Sequence, residues 1–280
     1  MNNPDKIQFL ITKEYRKFAE FCNACRQYKY IGLCYGSPGV GKTLSAQHFS
    51  MWDTIEYYIS IYHTDKEIKW GEVVNKYAAF YTPRIAPSIR NLEKEINDTI
   101  HWFNVLLERT NMELKILNRS TGTHNSKIKE KKRNNNFCEL IIIDEADRLT
   151  SGGLEVVRDV YDRYKIGVVL IGMPGIEKKL SRYAQFYSRV GFVHNFKSIN
   201  ADEMSHLLKY KWKELGLSFD PTDFSDKEAM NDILRITRGN FRLLHRLFTQ
   251  IDRVMKINVC NFISKEVVEA ARENLIIGDL

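Results

Sequence analysis

Residues Gly36 to Thr43 read G-S-P-G-V-G-K-T, a complete G-x-x-x-x-G-K-[ST] pattern. The run "YIGLCY" before it is short, apolar and β-prone, and "TLSAQHFSMW" behind it has helix-compatible spacing. A glycine-rich turn can match the pattern by accident, but strand, loop and helix in that order are the context it demands. The glycines let the backbone wrap phosphate oxygens while consecutive N–H groups point inward as an anion nest. The helix N-terminus adds partial positive charge. These features predict an α/β core that grips a nucleotide's phosphates. Lys42 would reach the β- and γ-phosphates, and Thr43 would hold Mg2+ through its hydroxyl. Gly36, Ser37, Pro38, Gly39, Val40, Gly41, Lys42, Thr43 and Leu44 are the candidate nucleotide-binding residues.

A second feature lies about a hundred residues on, in "FCELIIIDEADRLT". Leu140 to Ile143 form a wholly apolar run, as expected of a buried parallel strand, ending in Asp144 and Glu145. Ligands of α/β sheets bind beyond the carboxyl ends of the strands. Asp144 is therefore the candidate Mg2+ ligand beside Thr43. Glu145 is placed to polarise the water that attacks the γ-phosphate. An acidic cap for the following helix is the competing reading, and Asp147 or Thr150 can fill that role. A glutamate next to the metal aspartate points to hydrolysis, not to phosphorylation of a small acceptor.

From here the chain resembles the AAA+ ATPases. "DEADRLTSGGLEVVRDVYDRYK" places Val156, Val157, Val160, Tyr161 and Tyr164 on one helical face, and the buried strand of "IGVVLIGMPGIEKKL" follows. The resemblance puts a sensor-1 residue at the end of that strand, normally Asn, Thr or Ser. Here the position falls on Met173, which leaves nucleotide binding intact and puts fast hydrolysis in question. "LSRYAQFYSRVGFVHNF" is similar to the segment carrying an arginine finger, with Arg189 the first candidate and Arg182 the reserve. A surface arginine at a helix end is the plainer alternative. "ILRITRGNFRLLHRLF" resembles the sensor-2 motif, which implies that Arg242 folds back onto the γ-phosphate of its own subunit. Four apolar-rich segments, near 202–215, 226–237, 240–256 and 264–275, fit a helical lid, with Pro221 and "DPTDFSD" breaking the first from the second. The implied architecture is an AAA+ P-loop NTPase: a central parallel sheet flanked by helices, followed by a small all-helical lid. The implied domains are 1–198, with an insertion at about 84–136, and 199–280. The implied catalytic set is Glu145, Lys42, Arg189 or Arg182, and Arg242, with ATP held where two subunits meet.

Within that family, "IIDEADRL", "LIGMPGIEKKL" and "TRGNFRLLHRL" look like the transposition ATPases, the group of the phage Mu B protein, TnsC and TniB. This narrower resemblance covers most of residues 7–255. It implies an ATP-dependent homo-oligomer, ring or helical filament, on duplex DNA that selects target sites and recruits a DDE-type transposase, with weak ATPase activity. A helicase loader or origin-type ATPase shares the same core. A nucleotide-dependent signalling or defence switch with protein partners only is a further alternative.

Charge bears on that choice. A net charge of +7 and a pI near 9.0 suit a polyanionic partner without proving one. The insertion opens with an amphipathic helical pattern in which Leu92, Ile96, Ile100, Phe103 and Leu107 mark one face. It continues as "NRSTGTHNSKIKEKKRNNN", where Arg119, Lys127, Lys129, Lys131, Lys132 and Arg133 face Glu130 alone. Such a stretch either neutralises DNA phosphates or is a solvated loop with no specific role. It carries no interleaved aromatics, so base stacking is not expected there. The aromatics of "DTIEYYISIYHTDKEIKWGEVVNK" fit core, an extra helical pair or an interface equally well.

No apolar run reaches the roughly 18 residues of a membrane span, and the first residues have scattered charge and no apolar signal core. The expectation is a cytoplasmic protein with no membrane partner. Five cysteines argue for reduced thiols over a disulfide frame. Cys22 and Cys25 lack the second ligand pair of a zinc site, which favours a buried helical pair.

Overall fold

The computed structural model describes residues 9–64, 66–121, 137–220 and 222–275. It begins with α1 (Lys13–Tyr28), β1 (Ile31–Tyr35), α2 (Lys42–Ser50), α3 (Trp52–Ser60), α4 (Trp70–Val73) and β2 (Ala78–Tyr81). Next come α5 (Ile89–Thr121), β3 (Leu140–Ile143), a 3-10 turn (Ala146–Arg148), α6 (Ser151–Tyr164) and β4 (Gly167–Gly172). The chain continues through α7 (Ile176–Leu180), α8 (Ala184–Tyr187), β5 (Val190–Asn195), α9 (Ala201–Glu214), α10 (Phe224–Thr237), α11 (Phe241–Asn258) and α12 (Lys265–Glu273). Two compact units result. One holds the described residues of 17–36 and 42–195, and the other those of 9–16, 37–41 and 196–275.

The first unit is built on a five-stranded sheet of order β2-β3-β4-β1-β5, parallel throughout. Its inner strands carry almost no polar side chains because helices cover both faces of such a sheet. All four residues of β3 are fully buried, paired with β2 at Ala78↔Leu140 and with β4 at Leu140↔Gly167. β5 is one edge, and its residues alternate between half-buried and exposed. The α/β class and the parallel sheet expected from the sequence are thus present.

Helix α5, 33 residues long, extends about 50 Å at 1.5 Å per residue. Leu92, Ile96, Ile100, Phe103 and Leu107 are all buried. The helix lies against β2 and α6, so its apolar face belongs to the core of this unit. The stretch around 53–76 forms α3 and α4, with Trp52, Ile55 and Tyr58 buried and the Tyr58 hydroxyl donating to Glu72 at 2.7 Å. Of the aromatics in that stretch Tyr58 is core, Tyr62 and Trp70 are half-buried and Tyr57 is exposed. Cys22 and Cys25 are buried on α1 as free thiols.

The second unit contains α9 to α12. Each of these helices starts on a side-chain cap: Asn200, Asp223, Asn240 and Ser264 accept from backbone N–H groups of the first turn. Such caps satisfy donors that a helix start otherwise leaves orphaned. The core gathers Trp212, Ile233, Leu244, Leu247, Ile251 and Val268 around Phe248. Trp212 meets Phe219 and Phe248 edge-on at 5.6 Å each, and its indole N–H donates to Asp226 at 3.3 Å. No described helix is long and apolar enough to cross a membrane.

Candidate functional site

The phosphate-binding pattern sits where the sequence places it, between the end of β1 and the start of α2. Gly39 and Gly41 have φ of 81° and 103°, left-handed values that side-chain-bearing residues seldom adopt. The loop can therefore curl with its N–H groups inward, as an anion nest requires. Lys42 opens α2, and its ammonium donates to the Gly36 carbonyl at 2.6 Å. Burial pulls the Lys42 pKa below the ordinary lysine range, while the Cys34 thiol and the carboxylates of Asp144, Glu145 and Asp147 push it back up. A partly desolvated cation among acidic groups is stabilised further by an incoming triphosphate.

The Thr43 hydroxyl donates to Asp144 Oδ2 at 2.6 Å. Asp144 directly follows β3, is 4% exposed, and accepts the Glu145 N–H on Oδ1 at 2.9 Å. A hydroxyl and a carboxylate converging in this way form a hard oxygen donor pair. It fits Mg2+, which takes one or two protein oxygens and completes its shell with phosphate and water. Among the described residues there is no group of three His, Cys, Asp or Glu side chains able to hold a metal alone, so the pair would depend on phosphate oxygens. Glu145 follows with φ of 49° and an exposed side chain. Its carboxylate is accessible to a water, as a general base must be.

The competing role for the acidic cluster falls to Thr150, which caps α6 by accepting from Gly153 N–H at 3.2 Å. Asp147 has a different task that the sequence reading missed. Its Oδ2 accepts the Met173 N–H at 2.7 Å, tying the segment after β3 to the end of β4. A Cβ on Gly172 would lie 2.8 Å from that oxygen and 2.5 Å from Ile176 Cδ1, so a larger residue there would push aside the carboxylate that holds Met173.

Within the second unit, residues 37–41 of the loop meet the start of α11. Asn240 donates from Nδ2 to the Pro38 carbonyl at 2.9 Å, and its Oδ1 accepts the Leu243 N–H at 3.1 Å. The Arg242 N–H donates to the Gly39 carbonyl at 3.3 Å. A Cβ on Gly39 would strike Asn240 Oδ1 at 2.3 Å and Arg242 Cβ at 3.0 Å. Asn240 was not singled out by the sequence reading. The available signal was an asparagine in "RGNFRLL", directly ahead of an amphipathic run, where helix caps occur.

The family model for the AAA domain matches residues 25–180, which spans the phosphate loop, Asp144, Glu145 and Met173. The chain belongs to the AAA domain family. A Staphylococcus aureus protein described as a potential ATP-binding protein is 44% identical to it over 280 residues, covering 96% of this chain and 97% of its own. Among solved structures, the Thermotoga maritima RuvB Holliday junction branch migration motor aligns with TM-score 0.55 at 15% identity. It covers 97% of this chain and 72% of its own. The Aeropyrum pernix ORC1 protein in complex with DNA aligns with TM-score 0.56 at 17% identity, covering 96% and 67%. At such identities the likeness is one of fold.

The remaining candidates occupy varied settings in this AAA-domain chain. Met173 follows β4, partly exposed, with its backbone held by Asp147 and only a thioether to offer a ligand. Arg189 is engaged on its own chain: Nε and Nη2 form a bidentate pair with Asp162 at 3.1 and 2.9 Å, and Nη1 donates to the Gln185 carbonyl. The Asp162 carboxylate raises its pKa further. Arg182 is exposed and forms no ion pair with a described residue. Arg119 falls in the last turn of α5, and its side chain lies outside the described residues, as do Lys127, Lys129, Lys131, Lys132 and Arg133.

Proposed function

We propose that this AAA-domain chain is a slow, Mg2+-dependent ATPase that assembles with copies of itself on duplex DNA and regulates transposition. On this reading it selects target sites and recruits a DDE-type transposase. The observation that carries the ATPase part is the 2.6 Å contact between the Thr43 hydroxyl and Asp144, with Glu145 next in the chain. The loop N–H groups and Lys42 would hold the phosphates, and Thr43 and Asp144 would hold Mg2+, which would supply charge neutralisation for the phosphate oxygens. Glu145 takes the proton of the attacking water. Met173 lacks a hydrogen-bonding head for the γ-phosphate, in keeping with slow turnover.

The DNA and transposition part is supported by the motif resemblance, by the net charge of +7, and by the fold shared with an ORC1 protein solved with DNA. For a shared ATP site between protomers, Arg189 would have to leave Asp162 to reach a neighbouring copy, whereas the reserve candidate Arg182 has no ion pair with a described residue to break. The proposed domain division is an α/β nucleotide-binding domain to residue 198 and a helical lid from 199.

Sedimentation with duplex DNA and a slowly hydrolysed ATP analogue tests the assembly. Large nucleotide-dependent species are expected with the wild type and none with Lys42→Ala. Monomers under every condition would refute it. Capture of a replicative helicase in place of a transposase would move the chain to the loader group.

A further inference from the structure

Helix α11 has two faces of opposite character. Leu243, Leu244, Leu247, Phe248, Ile251, Val254 and Met255 are buried in the core of their unit. Arg242, His245, Arg246, Thr249, Arg253 and Lys256 are exposed. At about 100° per residue these six positions fall within a sector of about 100°. Arg238, exposed in the turn before the helix, extends the series. The sole acidic residue of the helix is Asp252, and it is occupied by Lys256 at 2.7 Å. Arg238, Arg242, Arg246 and Arg253 form no ion pair with any described residue, although other surface arginines of the chain, such as Arg158, Arg163 and Arg235, do.

Stability does not account for this pattern. Exposed arginines on a helix ordinarily gain a few tenths of a kcal/mol from acidic partners three or four residues away, and this helix gives its arginines none. An external anion would relieve their mutual repulsion. The shape indicates which anion. Arg242 to Arg253 spans about 16 Å along a straight axis, a line of charges and not a cup around a single phosphate. The one aromatic ring on the exposed face is the His245 imidazole, and a single ring is no row of platforms for successive unpaired bases.

We infer that the exposed face of α11 is a contact surface for the phosphate backbone of duplex DNA, with Arg246 and Arg253 as its central contacts. The inference rests on the DNA reading above and deepens it. It places the contact on a rigid helix, with central residues Arg246 and Arg253 that the sequence reading did not consider, and not in the basic stretch near 119–133. Such a surface follows the backbone without reading bases.

The test is duplex binding by fluorescence anisotropy as a function of KCl, wild type against Arg246→Ala/Arg253→Ala. Both positions are exposed and neither belongs to the nucleotide site, and alanine favours helix, so fold and ATP affinity are expected to be unchanged. Each phosphate contact contributes about 0.9 to the slope of log K against log salt, so losing two lowers the slope by about 1.8. At about 0.1 M salt this corresponds to roughly 60-fold weaker binding. Wild-type slope and affinity in the double variant would overturn the α11 surface while leaving the DNA reading standing. Tighter wild-type binding to a single strand than to the duplex would also overturn it. No DNA binding by the wild type at low salt would remove the DNA reading and this surface together. Arg246→Gln/Arg253→Gln, which removes the same charges with a longer side chain, is expected to reproduce the alanine result. A wild-type slope there would assign the alanine effect to altered helix packing and refute the contact.

Discussion

Asn240 performs two tasks with two different atoms, so substitution can separate them. Oδ1 caps α11 at 3.1 Å from Leu243 N, and Nδ2 holds the Pro38 carbonyl at 2.9 Å. Serine retains an acceptor suited to the capping position but is too short to reach Pro38, and it brings no charge near the phosphate loop. Asn240→Ser should therefore lose one hydrogen bond from a residue only 8% exposed, about 1 kcal/mol. Asn240→Ala loses the cap as well, typically about 1 kcal/mol more, so about 2 kcal/mol is expected in total. Urea unfolding followed by the fluorescence of buried Trp212, with the other tryptophans replaced, reads the unit that contains both contacts. A loop no longer held at Pro38 must also be ordered by its ligand. The same 1 kcal/mol would then appear as about fivefold weaker ATP binding in Asn240→Ser. Equal stability of the serine and alanine variants would refute the reasoning, because the two roles would not be separable. Wild-type stability in the serine variant would show that the Pro38 contact carries no energy.

Further outcomes follow from the same geometry. Glu145→Gln should bind ATP like the wild type and turn it over at least about a hundredfold more slowly, as a lost general base implies; parallel measurements of ATP affinity and phosphate release check this. Trp212→Ala should cost about 3–5 kcal/mol, since it empties a fully enclosed aromatic site at the centre of the helical unit, measurable as a fall in the urea midpoint. Burial pushes the Cys25 thiol up to about 12 and the Cys22 thiol well above its usual range. A thiol reagent at pH 8 should therefore react quickly only at half-buried Cys260, and at all five cysteines after denaturation. The sign of the linked pH effect follows from the same shifts. The folded state keeps protons that the unfolded chain releases, so stability is intact below the unfolded thiol pKa of about 8.5 and declines as pH rises from there toward 12. Replacing Cys22 and Cys25 by alanine should flatten that alkaline limb in urea titrations at stepped pH.

Much of the molecule is legible from residue order because its determinants are local. Eight consecutive residues, Gly36 to Thr43, specify a backbone path through glycine freedom and a helix start, and this holds in any parallel α/β core. The apolar run Leu140 to Ile143 specifies a doubly covered strand, and the residue after such a strand necessarily sits at its carboxyl end. The spacing of Leu92, Ile96, Ile100, Phe103 and Leu107 fixes a buried helical face by period alone. The four capped helices of the second unit follow from the same kind of signal.

Other features depend on which distant segments fold together, and no local pattern encodes that. Asp147 and Met173 are 26 positions apart and meet because β3 and β4 are neighbours in the sheet. Asn240 and Pro38, separated by 202 positions, share a bond only once residues 37–41 join the helical unit. Arg189 reads as a free arginine until α6 brings Asp162 within 2.9 Å of it. The arginines of α11 are individually unremarkable in the chain, and their meaning depends on what the fold buries on the other side of the helix and on which carboxylates it leaves out of reach. Local sequence sets backbone conformation and periodicity, which act over a few residues. Pairing of charges and polar groups is decided by three-dimensional proximity, which only the assembled tertiary structure supplies.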